Sequence, residues 1–176
     1  MIPSNLAAVT LAFRQAVLGA MPTKVEVSTL PPATAEKFVK LGGLLARVNL
    51  YCYQVSATPS LRNISLARPD PATPTEPKFT PLTLSYLVTV YGTALPDEEQ
   101  SAERLLEATY RVIEQHAFLS PTMLENALPG PAGSHRTLAA RVVTHDLALT
   151  ELQAMFLSMQ AVYRPSLAYR VTLAEG

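Results

Sequence analysis

The sequence has little charge and a single cysteine. Only 16% of its 176 residues are charged, and 14 acidic residues balance 14 basic ones. A nucleic-acid-binding protein normally carries a clustered excess of basic residues, so this balance argues against a nucleic-acid partner. One cysteine cannot form a disulfide within the chain, which favours a reducing compartment.

Targeting and membrane-spanning signals are missing as well. The N-terminal segment lacks a basic stretch, and Arg14 and Gln15 interrupt its apolar residues, which makes it a poor signal peptide. No uninterrupted apolar run is long enough to cross a bilayer. We therefore predict no membrane partner.

Motifs for catalysis and ligand binding are also absent. The sequence lacks the glycine-rich loops that hold phosphates, and no serine stands in a G-x-S-x-G turn. His116, His135 and His145 are scattered without the spacing of metal ligands. Cys52 lies in an apolar row, where cysteine usually packs as a small core residue. We predict no catalytic, cofactor-binding or metal-binding residues and no enzymatic activity. The remote alternative is a small hydrolase in which Cys52 or a serine acts with His116 or His145.

Apolar residues and prolines are what the sequence has in abundance. Hydrophobic residues make up 48% of the chain, which also contains 15 prolines. This length and composition predict a single folded domain over residues 1–176. Five of the prolines fall between Pro69 and Pro81, so we predict an extended, proline-rich arm at about residues 65–81. Such a segment is either a disordered hairpin loop or an arm that lies on a neighbouring subunit.

One strand, at residues 81–92, is predicted to be the centre of the fold. Alternate residues from Leu82 to Val90 form an apolar row, which indicates a strand. The opposite row is also partly apolar because it contains Leu87 and Tyr91. A strand that is apolar on both faces is usually covered on both sides.

The remaining patterns predict an α+β fold, with a mixed sheet of four to five strands packed against three to four helices. Segment 23–30 is bounded by prolines, which favours an edge strand. Segment 33–43 gives mixed signals and is left open between a loop and a short helix. The predicted strands are 23–30, 45–56, 81–92, 138–147 and 166–173, and the predicted helices are 5–20, 97–116, 122–127 and the segment from Thr150 to Pro165.

Three stretches, taken together, resemble a known family. They are VNLYCYQVS with the following TPSLRN at 48–63, PLTLSYLVTVYG with the acidic helix after it at 81–106, and LALTELQAMFLSMQAVYRPSLAYRVTL at 147–173. In this order and spacing the chain resembles the tail-terminator, or cap, family of contractile injection systems. Within this family it resembles the caps of Photorhabdus virulence cassettes and of the antifeeding prophage.

The resemblance implies a tail-terminator-like fold and a structural role. Such proteins form a hexameric ring at the end distal to the baseplate, where the ring stops polymerisation and joins the inner tube to the sheath. The implied partners are further copies of the chain, the sheath and inner-tube proteins and, in systems that carry two, a second cap paralogue. The resemblance also implies assembly in the bacterial cytoplasm and release with extracellular particles. The main alternative is an adaptor or tail-completion protein in another phage-like assembly.

Two further features suit contact with neighbouring subunits. The edge strand and the proline-rich arm suit β-augmentation, in which one chain adds a strand to another chain's sheet. Tyrosines are frequent at interfaces, although each single one is expected more often in the core. The tyrosines concerned are Tyr51, Tyr53, Tyr91, Tyr163 and Tyr169.

Overall fold

The computed structural model describes residues 5–22, 24–42, 46–57, 82–92, 98–127 and 138–175. Five helices and six strands lie in these ranges. The helices are α1 (Asn5–Ala20), α2 (Pro32–Gly42), α3 (Glu98–Gln115), α4 (Pro121–Ala127) and α5 (Leu149–Ser158). The strands are β1 (Val25–Ser28), β2 (Ala46–Ala57), β3 (Leu82–Tyr91), β4 (Phe118–Leu119), β5 (Leu138–Thr144) and β6 (Ser166–Glu175).

The six strands form one mixed sheet. Their order is β1-β2-β3-β6-β5-β4, and β1 runs parallel to β2 whereas the other neighbours are antiparallel. The predicted α+β class and mixed sheet are therefore confirmed. The prediction that β1 lies at an edge is also confirmed, because β2 is its single neighbour in the sheet.

Strand β3 is covered on both faces, as its two apolar rows predicted. Every residue from Leu84 to Tyr91 is buried. One row, which includes Tyr86 and Val88, belongs to the main core, while Leu87 on the opposite row is also fully buried. Neighbours β2 and β6 pair with β3 on its two sides, so the strand has no exposed backbone edge where they pair.

The main core forms where helices α1, α3 and α4 cover one face of the sheet. Phe13 of α1 packs edge-to-face on Tyr86, with ring centroids 5.4 Å apart. The hydroxyl oxygens of Tyr86 and Thr10 lie 2.7 Å apart, and Thr10 donates to the carbonyl oxygen of Leu6. Because Thr10 uses its one hydrogen there, Tyr86 is the donor in their shared bond. The hydroxyl group of the buried tyrosine thus has a hydrogen-bond partner.

Helix α2 covers part of the opposite face. The Tyr91 hydroxyl donates to the carbonyl oxygen of Pro32 at 3.2 Å, and Ala35 packs with Tyr91 in a second, smaller core. The Arg164 guanidinium lies 5.1 Å from the centre of the Tyr91 ring. This face is therefore held by a mixture of apolar and polar contacts.

A buried amide fixes the end of β1 against β2. Asn49 is fully buried, and its side-chain oxygen accepts from the Ser28 hydroxyl at 2.7 Å and from the Leu30 N–H at 3.1 Å. Its side-chain nitrogen donates to the carbonyl oxygen of Leu30 at 2.9 Å. The Asn49 amide thus supplies the hydrogen bonds that Leu30 would otherwise make to the backbone of β2 if β1 continued.

Two predictions about numbers of elements need correction. Within the described ranges there are six strands instead of four to five, and five helices instead of three to four. Strand β4 was missed because two residues carry no detectable period. Segment 33–43, left open as a loop or short helix, is helix α2, which begins at Pro32, a residue that suits the first turn of a helix.

Two predictions about local geometry were also wrong. Strict alternation along β2 predicts that Val55 points away from the row of Val48 and Leu50, but a bulge between Cys52 and Gln54 shifts the register and pairs Val55 with Leu84 of the core row. The last helix was expected to begin at Thr150 and to continue to Pro165. It begins at Leu149 and ends at Ser158, because Gln160 adopts a left-handed backbone with φ 53°.

The predicted arm at residues 65–81 lies outside the described residues, and the single-domain organisation over 1–176 stays a prediction.

Replacing the buried amide should destabilise the fold. We expect Asn49→Ala to lower the free energy of unfolding by about 2–3 kcal/mol, because three hydrogen bonds are lost and backbone groups of Leu30 lose their partner. Urea unfolding measures the change, with Asn126→Ala on the exposed side of α4 as the matched control. A loss no larger than that of the control would contradict the role of Asn49.

The buried tyrosines should resist ionisation. Burial raises the pKa of Tyr86 and Tyr169 well beyond the usual range of tyrosine and raises the pKa of Tyr91 to about 12. Since these groups stay neutral in the folded chain, their contribution to stability is complete below pH ~10, the ordinary tyrosine pKa, and is lost as the pH rises towards their folded pKa. Absorbance at 295 nm should show three of the seven tyrosines ionising only when circular dichroism reports unfolding. Ionisation of all seven in the folded chain would contradict this burial.

Candidate interaction surfaces

The sheet holds Cys52 and His145, one pair that a hydrolase could use, apart. Cys52 of β2 pairs with Tyr86 of β3, Tyr86 pairs with Tyr169 of β6, and Tyr169 pairs with Thr144 of β5. His145 is the residue after Thr144. Three strand spacings of about 4.8 Å place Cys52 about 14 Å from this end of β5. A nucleophile and its base need hydrogen-bond contact, so Cys52 and His145 do not form a catalytic pair.

The histidines make local contacts instead of a common site. His116 Nδ1 lies 2.8 Å from the carbonyl oxygen of Val112, one turn earlier in α3. His145 Nε2 lies 3.2 Å from an Arg170 nitrogen. His135 falls outside the described residues. In the part of the chain that the structure describes, no three His, Cys, Asp or Glu side chains form a metal-binding group.

Cys52 has the character of a core residue. It is half-buried and packs against the main core. Burial raises the pKa of its thiol above the ordinary range, although a hydrogen bond to the carbonyl oxygen of Gln54 opposes the shift. A raised pKa lowers the fraction of thiolate, the reactive form. The environment of Cys52 therefore does not activate it.

None of the helices in the described ranges combines the length and apolar character that a bilayer crossing requires.

Helix α5 and the segment after it carry an exposed apolar surface, which we call the α5 surface. Phe156 is the one buried side chain of α5, and it contacts Tyr163 edge-to-face with centroids 5.6 Å apart. Leu157 is 79% exposed. Isolated exposed apolar side chains are common, but several of them on one helix and the segment after it suit an interface. The α5 surface consists of Leu149, Leu157, Val162 and Tyr163.

A cleft continues from the α5 surface towards α3. Its volume is about 400 Å³. Val162 and Tyr163 belong both to the cleft and to the α5 surface, so the two form a continuous region. The lining residues are Val90, Ala102, Glu103, Leu106, Val162, Tyr163, Arg164 and Pro165.

The sequence pattern did not reveal the α5 surface. The helical spacing of Leu152, Met155, Phe156 and Met159 predicts a buried stripe, but Phe156 alone is buried and the other three are half-exposed. The available signal was Leu157, which places an apolar side chain outside that stripe, whereas Leu149 lies on the stripe, three residues before Leu152, and is nevertheless exposed. A helix that is apolar on several sides needs covering on several sides.

The tyrosines divide between core and surface. Tyr91 and Tyr169 are buried, Tyr51 and Tyr53 are half-buried, and Tyr163 is 40% exposed. The expectation that a given tyrosine belongs to the core is met by two of the five, and Tyr163 is the member that faces outward at the α5 surface.

A family model for the Pvc16 N-terminal domain matches residues 7–175. The chain belongs to this Pvc16 N-terminal domain family. The match begins within α1 and ends at the last residue of β6, so it includes the whole sheet. The suspected membership of the cap and tail-terminator group is thereby confirmed.

Solved structures support the same assignment of the fold. The sheet/helix arrangement is similar to the sheath/tube terminator of the PVC extracellular contractile injection system in its extended state, with a TM-score of 0.61, 16% identity, and coverage of 94% of this chain and 54% of the terminator. It is similar to the tube-terminating cap of the anti-feeding prophage, with a TM-score of 0.63, 16% identity, and coverage of 93% and 52%. The chain thus spans about half the length of each. A comparison with curated protein sequences found no match.

The thiol of Cys52 should react slowly. Because burial raises its pKa, we expect alkylation by iodoacetamide at pH 8 to be slower than at an exposed cysteine, with a rate that still rises at higher pH. The control is an exposed thiol, Asn126→Cys, in a Cys52→Ala background. Equal rates at the two positions would contradict the unreactive environment and reopen the hydrolase alternative.

Proposed function

We propose that the chain is a structural terminator of a contractile injection system. In this role it forms a hexameric ring at the baseplate-distal end of the particle, stops growth of the inner tube and joins the tube to the sheath. The single observation that carries the proposal is the family match over nearly the whole chain. The similarity of fold to two tube-terminating proteins supports it.

The surface chemistry of the described residues is compatible with a ring. A closed ring built from head-to-tail contacts needs two different patches on each subunit. The α5 surface supplies an apolar patch with Leu157 at its most exposed point. Low overall charge, 16% of residues, reduces the repulsion between copies that are packed together.

Several features of the proposed role follow from it. The chain acts by occupying a position at the particle end, and not by catalysis. Its partners are other copies, the inner-tube and sheath proteins and, where a system has two caps, the second cap paralogue. Residues 1–176 act as one domain that includes the proline-rich segment at 65–81. Assembly takes place in the bacterial cytoplasm, before release of the particle.

The α5 surface should be needed for the ring. We expect the purified chain to have about six times its 19.0 kDa subunit mass by light scattering. Leu157→Glu should reduce that mass to the subunit's, because a charge in a desolvated apolar contact is unfavourable. Since Leu157 is 79% exposed, its replacement should change the free energy of unfolding of one subunit by no more than about 0.5 kcal/mol.

The matched control is Asn126→Glu, which adds the same charge to an exposed position on another helix, α4, outside the α5 surface. It should keep the mass of the assembly. A stable monomer in the unmodified chain, without affinity for purified tube or sheath, would contradict the terminator role. Binding to a portal protein in place of tube and sheath would favour the adaptor alternative.

A further inference from the structure

A groove runs along the open edge of β1. Among the strands that the structure describes, β1 pairs with β2 alone, and the groove on its other side has a volume of about 430 Å³. Five consecutive residues, Glu26 to Leu30, line it, together with Leu11 and Arg14 of α1 and with Phe38 of α2. The groove therefore has a strand as its floor and side chains of two helices as its walls.

Backbone hydrogen-bonding groups face this groove. The carbonyl oxygen of Val27 accepts a hydrogen bond from Arg14 Nε at 2.8 Å, whereas both backbone groups of Leu30 bind Asn49 of β2. Successive residues of a strand direct their N–H and C=O groups to alternate sides. Val27 and Thr29 thus belong to the outward set, and the N–H groups of both residues and the carbonyl oxygen of Thr29 point towards the groove.

The groove also has an excess of guanidinium donors. Arg47 is 8% exposed and directs Nε and Nη2 to the Glu26 carboxylate. Its Nη1 is buried without a hydrogen-bond partner among the described residues, and its guanidinium lies 5.6 Å from the centre of the Phe38 ring. Arg14 uses Nε on Val27. Two arginines and one glutamate leave the groove with a net positive charge.

Apolar side chains complete the walls. Phe38 is 54% exposed although it stacks on Arg47, and Leu11 and Leu30 are each partly exposed beside the strand. An exposed phenylalanine next to a strand edge is unfavourable for an edge strand that stays in water. The groove therefore combines three recognition elements: a backbone edge, an apolar wall and a positive charge.

We propose that the β1 edge binds an extended segment of a partner protein that carries a carboxylate between apolar side chains. The segment adds to the sheet as a seventh strand, with backbone bonds to Val27 and Thr29. Its carboxylate faces Arg14, and its apolar side chains lie against Leu11, Leu30 and Phe38. Polypeptide is the partner class that matches the N–H and C=O spacing of a strand edge. The inference concerns this edge alone and holds whether or not the chain terminates a tube.

The test uses two capped heptapeptides of alternating valine and threonine, one with a central glutamate and one with a central lysine. Fluorescence anisotropy of the labelled peptides on the full chain gives the Kd. We expect the glutamate peptide to bind at least ten-fold more tightly than the lysine peptide. Arg14→Gln should reduce this preference to less than three-fold, because it removes the charge nearest the bound carboxylate.

The backbone contact is tested by Thr29→Pro, with Thr29→Ala as the matched control. Proline removes the outward N–H at an exposed position, so Thr29→Pro should weaken binding at least ten-fold, while Thr29→Ala should bind like the unmodified chain. If Thr29→Pro does not fold, amide hydrogen exchange of the unmodified chain provides the readout: the peptide should slow exchange at Val27 and Thr29.

Three results would overturn the proposal. The first is no binding of either peptide at millimolar concentration, and the second is equal binding of both. The third is a loss of self-association in Thr29→Pro but not in Thr29→Ala, which would show that a second copy of the chain occupies the edge.

Discussion

The burial of β3 on both faces is the constraint on which the rest of the structure depends. An isolated strand cannot satisfy its backbone or cover two apolar rows, so β3 requires a pairing strand on each side and a layer of side chains above and below. Strands β2 and β6 provide the pairing. Helices α1, α3 and α4 cover the row that contains Tyr86, and α2 covers the end near Tyr91.

This arrangement explains where surface is left over. The sheet needs edges, and β1 with four residues is a short one, whose outward groups are only partly used by Arg14. Helices α1, α3 and α4 pack on the main-core face, whereas α5 buries a single side chain, Phe156. The groove at β1 and the α5 surface therefore have the same origin. Most apolar side chains pack around the central strand, and these two regions at its periphery keep apolar side chains exposed. Both are suited to protein partners, since neither brings titratable groups together in the manner of an active site.

Much of the fold could be predicted from the sequence because the period of two in β3 and the apolar stripes of α1 and α3 are strong local signals. The edge position of β1 followed from its flanking prolines. What could not be predicted depends on tertiary contacts. The bulge in β2 has no signature in the alternation of Leu50 and Cys52, and the end of α5 depends on a left-handed Gln160. The amide of Asn49 looked like any polar residue in a strand, and its role appears only when Leu30 is placed beside it.

The proposed function rests on evidence of a different kind. Nothing in the chemistry of the side chains identified it, and the family relationship over residues 7–175 carries it. The structure adds the surfaces by which such a role would be performed. The most direct measurement of the central claim is cryo-electron microscopy of particles assembled with this chain. The account predicts a six-fold ring of the chain at one end of the tube, with the α5 surface covered by a neighbouring subunit. Particles whose tube ends lack the chain, or a ring in which Leu157 faces solvent in every subunit, would contradict it.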